Sequence, residues 1–283
     1  MKARRTTVFL LIIAILFLFC SCGGSAEELP EEGEVHITFL DVGQADCALI
    51  RTSDAVVVVD TGDVSTDGAE LLAHLRRLNI EKIDLLILTH PHEDHIGGAP
   101  SLLREHEVAE CLMPDLLENS AIFRETLSAL KDENCVVTRA EAEVLREYGN
   151  LSVEVLSPTK EFYSTINDAG AVIRVKFGEF AFLFMGDVSG TVEEELVALY
   201  PDALRADILK VAHHGSALST SRAFLSAVAP QHAVISCAAG NEYGVPHPDV
   251  LARLSNAGVS VHRTDTEGTI TFRAKDGKIE IMK

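Results

Sequence analysis

The chain has 283 residues, 47% hydrophobic and 24% charged, with 43 acidic against 24 basic side chains and a formal charge of −19 at pH 7. That length can bury a full core as one large domain or two small ones, and the composition is ordinary for a globular protein once the leader is set aside. The acidity opposes nonspecific binding to DNA or RNA, which rests on Lys and Arg neutralising phosphates. It leaves room for a nuclease, because bound metal ions supply local positive charge.

Residues 1–21 read as a signal peptide of the lipoprotein type. Lys2, Arg4 and Arg5 form a basic head, and residues 8–19 (VFLLIIAILFLF) form an apolar run. A membrane span needs about 20 residues, so this run is short for one. The tail LFCSC looks like a lipobox with cleavage before Cys22 and lipid on its sulfur; Cys20 is the second candidate. The expected location is therefore extracytoplasmic, anchored to the membrane through Cys22 or secreted. Residues 22–34, ending SAEELPEEGE, read as a flexible acidic tether, and 35–283 as the folded domain. Cys47, Cys111, Cys135 and Cys237 are far apart, lack a CxxC pair and have apolar neighbours, which reads as buried free thiols.

Along the domain, residues 35–41 (VHITFLD), 45–51 and 55–60 read as three strands with turns between them. Leu71, Leu72, Leu75 and Leu78 have helical spacing within 68–78. Residues 83–89 (IDLLILT) read as a buried strand, 99–106 as a helix, 110–113 as extended and 120–132 as a helix. The second half repeats the rhythm, with strands at 151–156, 171–177 and 181–185 and a helix at 192–199. A strand at 208–212, a helix at 221–228, a strand at 233–237 and a helix at 248–256 follow. Strands at 259–262, 269–272 and 279–282 close the chain. β-rich stretches opening each half, each followed by β/α alternation, predict two sheets with helices outside.

The strand at 83–89 delivers LTHPHEDHIGG (88–98), which packs His90, His92 and His95 with Glu93 and Asp94 into six residues. Sites in α/β proteins gather at the carboxyl ends of strands. From such a loop His90 and His92 can face one cation, and Asp94 and His95 a neighbour. Imidazole with carboxylate suits zinc, and also manganese or iron. Gly97 and Gly98 permit close approach of backbone or substrate. A catalytic site needs ligands from elsewhere. FLFMGD (182–187) ends a buried strand with Asp187, a bridging ligand or a helix N-cap. LKVAHHGS (209–216) ends another with His213 and His214. YGVPHP (243–248) sets His247 before a helix, as a ligand or a substrate contact.

HPHEDHIGG resembles the HxHxDH signature of the metallo-β-lactamase fold hydrolases. Together with FLDVGQADC (39–47), VVVDTGD (57–63), FLFMGD, LKVAHHGS and YGVPHP, the chain resembles the soluble C-terminal domain of ComEC, the bacterial DNA-uptake channel. It is also similar to free-standing relatives of that domain, including secreted phosphorylcholine esterases. The resemblance runs from about residue 35 to the end. It implies an α/β protein built as an αββα sandwich, with a two-metal site at the sheet edges. His90, His92, Asp94 and His95 would be ligands and Asp187 the bridge. His213 would be the later histidine ligand, with His214 or His247 as rivals. Asp60 matches an aspartate that supports the ligand loop. Many members carry a further histidine ligand before the Gly-Asp, but here only His106 lies in that interval, in the wrong setting. The subgroup has an asparagine-containing stretch instead, here INDAG (166–170), which places Asn167 or Asp168 near the first metal. The sequence has no channel helices.

The chemistry that follows is hydrolysis by a hydroxide shared between two divalent ions, zinc or manganese. The chain shows no G-x-S-x-G elbow, P-loop or G-x-G-x-x-G that would suggest covalent or nucleotide-cofactor chemistry. The expected substrate is a phosphodiester, either DNA or a cell-envelope ester. Asp94 would also handle a proton, and His247 would contact the phosphate or the leaving group. The alternatives are a β-lactam or lactone hydrolase, and a surface lipoprotein that binds metal or ligand without turnover. No protein partner is expected.

Overall fold

Continuous apolar runs such as VVVV, LLIL and FLFM suit strands buried on both faces, and the architecture is built from them. The computed structural model describes residues 30–282. The expected signal peptide, the lipid site at Cys22 and most of the tether lie outside the described residues. The last residues of that tether pack on the body. Pro30 and Glu34 are buried, and the Glu34 carboxylate pairs with His36 and lies 3.3 Å from Lys275 Nζ.

One sheet has eight strands, in the order Lys278–Met282, Ile270–Lys275, Val35–Phe39, Cys47–Arg51, Val56–Thr61, Leu85–Ile87, Glu110–Met113 and Val136–Arg139. The second large sheet has seven: Ser260–Arg263, His232–Ile235, Ile208–Lys210, Phe180–Phe184, Val172–Phe177, Leu151–Ser157 and Leu145–Tyr148; Lys82–Ile83 and Glu107–Val108 form a separate two-stranded sheet. Side-chain alternation then builds three cores. Val57, Val59, Leu85 and Ile87 meet Phe182 and Phe184 between the sheets. Val58, Leu86 and Leu88 face outward, onto Leu71 and Leu75 of the helix Ala69–Arg77 and Leu102 of Ala99–Glu105. Leu183, Leu209 and Ile235 face the other way, onto Leu196 of Gly190–Leu199, Phe224 of Arg222–Val228 and Leu254 of Pro248–Asn256. The layers are therefore α, β, β, α, as the resemblance implies.

The structure also holds elements that the expected ones lack. The strands Val136–Arg139 and Leu145–Tyr148 had no counterpart in the reading of the sequence. They sit at the sheet edges, and Val136, Val137 and Leu145 are exposed, so the alternation that marks a half-buried strand is missing. The closing hairpin also returns to the first sheet, where Val35 pairs with Ala274 and Phe39 with Ile270 in antiparallel register.

Candidate metal centre

The LTHPHEDHIGG segment leaves the strand Leu85–Ile87 and folds into one helical turn, Glu93–Ile96, with His92 extended at its N-cap. The turn lies close against the chain beside it. A Cβ on Gly98 would come 2.5 Å from Gly68 Cα and 2.6 Å from the Thr61 carbonyl oxygen, so only glycine fits there. Asp60, at a left-handed φ of 58°, braces the segment from below. Its carboxylate accepts from the Thr89 amide at 2.8 Å and the Thr89 hydroxyl at 2.7 Å, and it lies 2.8 Å from His95 Nδ1. Burial pushes the Asp60 carboxyl up, against the pull of His95. With Nδ1 donating to Asp60, His95 turns Nε2 toward the centre.

The second half supplies the facing groups. The strand Phe180–Phe184 runs out through Gly186 into Asp187, which is almost wholly buried. Ser189, not Asp187, caps the next helix, accepting from the Thr191 amide, and Asp187 is left for the centre. After the strand Ile208–Lys210 the chain makes a tight turn in which His213, His214 and Gly215 have φ of 50°, 52° and 84°. Such conformations cost non-glycine residues energy and gather at functional sites. This turn aims both imidazoles inward.

Two groups meet at Asp187. Its Oδ2 is 3.8 Å from His90 Nε2 and 3.5 Å from His213 Nε2, and His90 Nε2 is 3.0 Å from His92 Nδ1. Its Oδ1 is 3.3 Å from His95 Nε2, and His214 Nε2 is 3.2 Å from Asp94 Oδ2. Ligand atoms of Asp94, His95, Asp187 and His214 all lie within 4.8 Å of one another. Two atoms of that group, His95 Nε2 and Asp187 Oδ1, are buried without a hydrogen bond among the described residues. Buried polar atoms ordinarily find a partner. A convergent set of imidazole nitrogens and carboxylate oxygens with such atoms at its heart is suited to binding metal ions.

The electrostatics follow from burial and opposed charges. Burial and the neighbouring His95 hold His90 well below the usual histidine range. Burial acts in the same direction on His95, but Asp187, Asp60 and Asp94 outweigh it and raise its proton affinity well above that range. Burial would raise Asp94 too, but His95 and His214 bring it down to about 2, so it is a carboxylate at neutral pH.

His90, His92, Asp94, His95, Asp187 and His213, the ligands expected from the sequence, thus lie close together. His214, expected only as a rival of His213, joins them against Asp94. His247 does not join. Its Nδ1 accepts from the Asp249 amide as the N-cap of the helix Pro248–Asn256, and it is absent from the cleft over the centre. His106 ends the helix Ala99–Glu105. Asn167 lines the cleft, while Asp168 Oδ1 accepts from the Ser189 amide. Reading the sequence gave no role to Asp46 or Lys210, which form a buried ion pair of 2.7 Å beside His214. A signal was present: a lysine inside the apolar run ILKVA must find a buried partner.

The profile of the metallo-β-lactamase superfamily matches residues 40–239. Over 88% of its length the chain is 31% identical to ComE operon protein 3 of Bacillus subtilis. Over 95% it is 29% identical to competence protein ComA of Neisseria gonorrhoeae. It spans 34% and 36% of those two proteins, about a third of each. Among solved structures it resembles the metallo-β-lactamase fold protein YhfI of Bacillus subtilis, with a TM-score of 0.57 and 12% identity over 89% of this chain and 100% of that one. That likeness is one of fold. A profile match across most of the sandwich, with the histidine loop and Asp187 inside it, shows that the chain belongs to the metallo-β-lactamase superfamily.

Proposed function

We propose that this chain hydrolyses phosphodiesters with two divalent ions, zinc or manganese. The observation that carries the reading is the position of Asp187, whose two oxygens face two separate histidine groups. His90, His92 and His213 would hold one ion, and Asp94, His95 and His214 the other, with Asp187 shared. Ions bound there would act as Lewis acids toward water and the scissile phosphoryl oxygen. Asp94, partly exposed at the cleft, would handle a proton as well as hold an ion. Asp60 keeps His95 in one tautomer, and the buried floor excludes water from behind.

The cleft above the group has a volume of about 700 Å³. Asp63, Glu93, Glu118, Asn167 and Tyr243 are among its lining, and none of the described residues lining it is Lys or Arg. A long polyanion would lack counter-charges there. This favours a short phosphodiester such as a cell-envelope ester. The names of the competence relatives support DNA as the second reading. Attachment to the membrane through Cys22 belongs to the same proposal; no helix among the described residues is long and apolar enough to cross a membrane.

The test is turnover of bis-p-nitrophenyl phosphate with zinc and with manganese, alongside a chromogenic lactam. We expect metal-dependent phosphodiester cleavage that Asp187→Ala abolishes in a folded protein. Cleavage of the lactam alone, or of neither compound, would overturn the reading.

A further inference from the structure

The ligands of the metal centre are mounted on two halves of the chain. His90, His92, Asp94 and His95 hang from the first sheet, and Asp187, His213 and His214 from the second. A metal site tolerates little error in the distance between such halves, so something must fix it. Asp46 is placed to do so. It sits in the first half, just before the strand Cys47–Arg51. Its amide donates to the Asp94 carbonyl at 3.0 Å, and its own carbonyl accepts from the Gly62 amide at 2.9 Å. Its backbone is therefore bonded to the ligand loop.

Its side chain crosses to the second half. Oδ2 accepts from Lys210 Nζ at 2.7 Å, across 164 positions of sequence. Oδ1 is buried without a hydrogen bond and lies 3.4 Å from His214 Nδ1. His214 Nδ1 donates to the Ser236 carbonyl at 2.9 Å, which directs Nε2 at Asp94. Lys210 Nζ also donates to the Val211 carbonyl, two residues before His213. Both side chains are about 5% exposed. A small cavity beside the pair is lined by Asp60, Thr89 and Gly186, the residues that support His95 and Asp187.

We propose that Asp46 and Lys210 are a positioning pair that sets the spacing of the two ligand-bearing halves and holds His214 for the second metal ion. Neither touches substrate. Lys210 supplies a fixed positive charge where two buried carboxylates, Asp46 and Asp60, would otherwise repel. The His214 ring is held by the Ser236 carbonyl at Nδ1, and Asp46 Oδ1, 3.4 Å from the same nitrogen, adds a negative charge beside it. The proposal rests on the dinuclear reading above.

Metal titration of the full chain, using cobalt as the probe and its visible absorption as the readout, tests it. Wild-type protein should bind two ions. Lys210→Met should weaken the second ion at least about tenfold and shift its absorption, with the first ion retained. The double variant Asp46→Asn with Lys210→Met leaves no uncompensated charge, so it should regain most of the wild-type stability, fold, and still bind the second ion weakly. It carries the test if Lys210→Met fails to fold. Wild-type protein that binds no ion would sink the proposed function. Wild-type and double-variant proteins that bind two ions equally tightly, with the same spectrum, would sink the positioning pair alone.

Discussion

Two of the ion pairs that join the sheets among the described residues, each with a Lys or Arg, differ in burial. Asp46 and Lys210 meet under the metal centre, both nearly inaccessible to water. Glu110 of the first sheet and Arg146 of the second meet at the sheet edges, with side chains 17% and 30% exposed. The edge pair has good geometry. Arg146 Nε donates to Glu110 Oε2 at 2.8 Å and Nη2 to Oε1 at 2.5 Å. Geometry alone would rank the two alike, but burial separates them. Water and salt can replace the edge pair at little cost, whereas the inner pair has no substitute. A lone charge left under the ligands would act directly on them.

The strongest way to break this contrast is to strand that charge. Lys210→Met should destabilise the fold by about 3–5 kcal/mol, and adding Asp46→Asn should restore most of the loss; urea unfolding of the three proteins measures both. If the single and double variants were equally unstable, the argument from an uncompensated charge would fail. A backbone test follows. Gly98→Ala leaves every charge in place but forces its Cβ against Gly68 and Thr61. It should cost about 1–3 kcal/mol and loosen the ligand loop, visible as reduced metal uptake together with a lower Tm. Asp60→Asn keeps the shape of the other buried brace and should lower metal affinity by about 10–100-fold with little change in fold stability; calorimetric titration reads this. The smallest effect belongs to the edge. Arg146→Met should cost no more than about 1 kcal/mol, less at high salt. The Arg146 hydrogen bonds, opposed by burial, hold the Glu110 pKa below its ordinary value. The pair's contribution is therefore present above the ordinary carboxylate pKa and fades as pH falls through the lowered one. Acid unfolding of Arg146→Met and wild type should converge at that low end.

How much of this could be read beforehand depended on whether the reason was local. HPHEDH stands out locally, because three histidines and an aspartate within six residues at a strand tip are hard to satisfy as core groups, whereas Asp187 also read as a helix N-cap until Ser189 took that place. The interior strands were legible from their apolar runs. The strands Val136–Arg139 and Leu145–Tyr148 were not, since edge strands carry mixed, exposed residues. The choice between His213 and His214 could not be made from LKVAHHGS. It depends on left-handed backbone at both residues, which leaves His213 beside Asp187 and His214 beside Asp94. Asp46 lay within a quoted motif, yet its task requires Lys210, which sequence distance hides. His247 read from the sequence as a ligand or a substrate contact; its place is the N-cap of the helix Pro248–Asn256, outside the lining of the cleft.

The return of the strand Ile270–Lys275 to pair with Val35–Phe39 has a kinetic consequence. The first strand of the described chain has one neighbour close in sequence and another more than two hundred residues away. Until the ribosome has made that last hairpin, one main-chain edge of Val35–Phe39 is unsatisfied and the inter-sheet core lacks Phe272. Contacts this distant slow folding and expose edges on the way. The finished sandwich is therefore a late event in the life of the chain, reached only when its two ends meet.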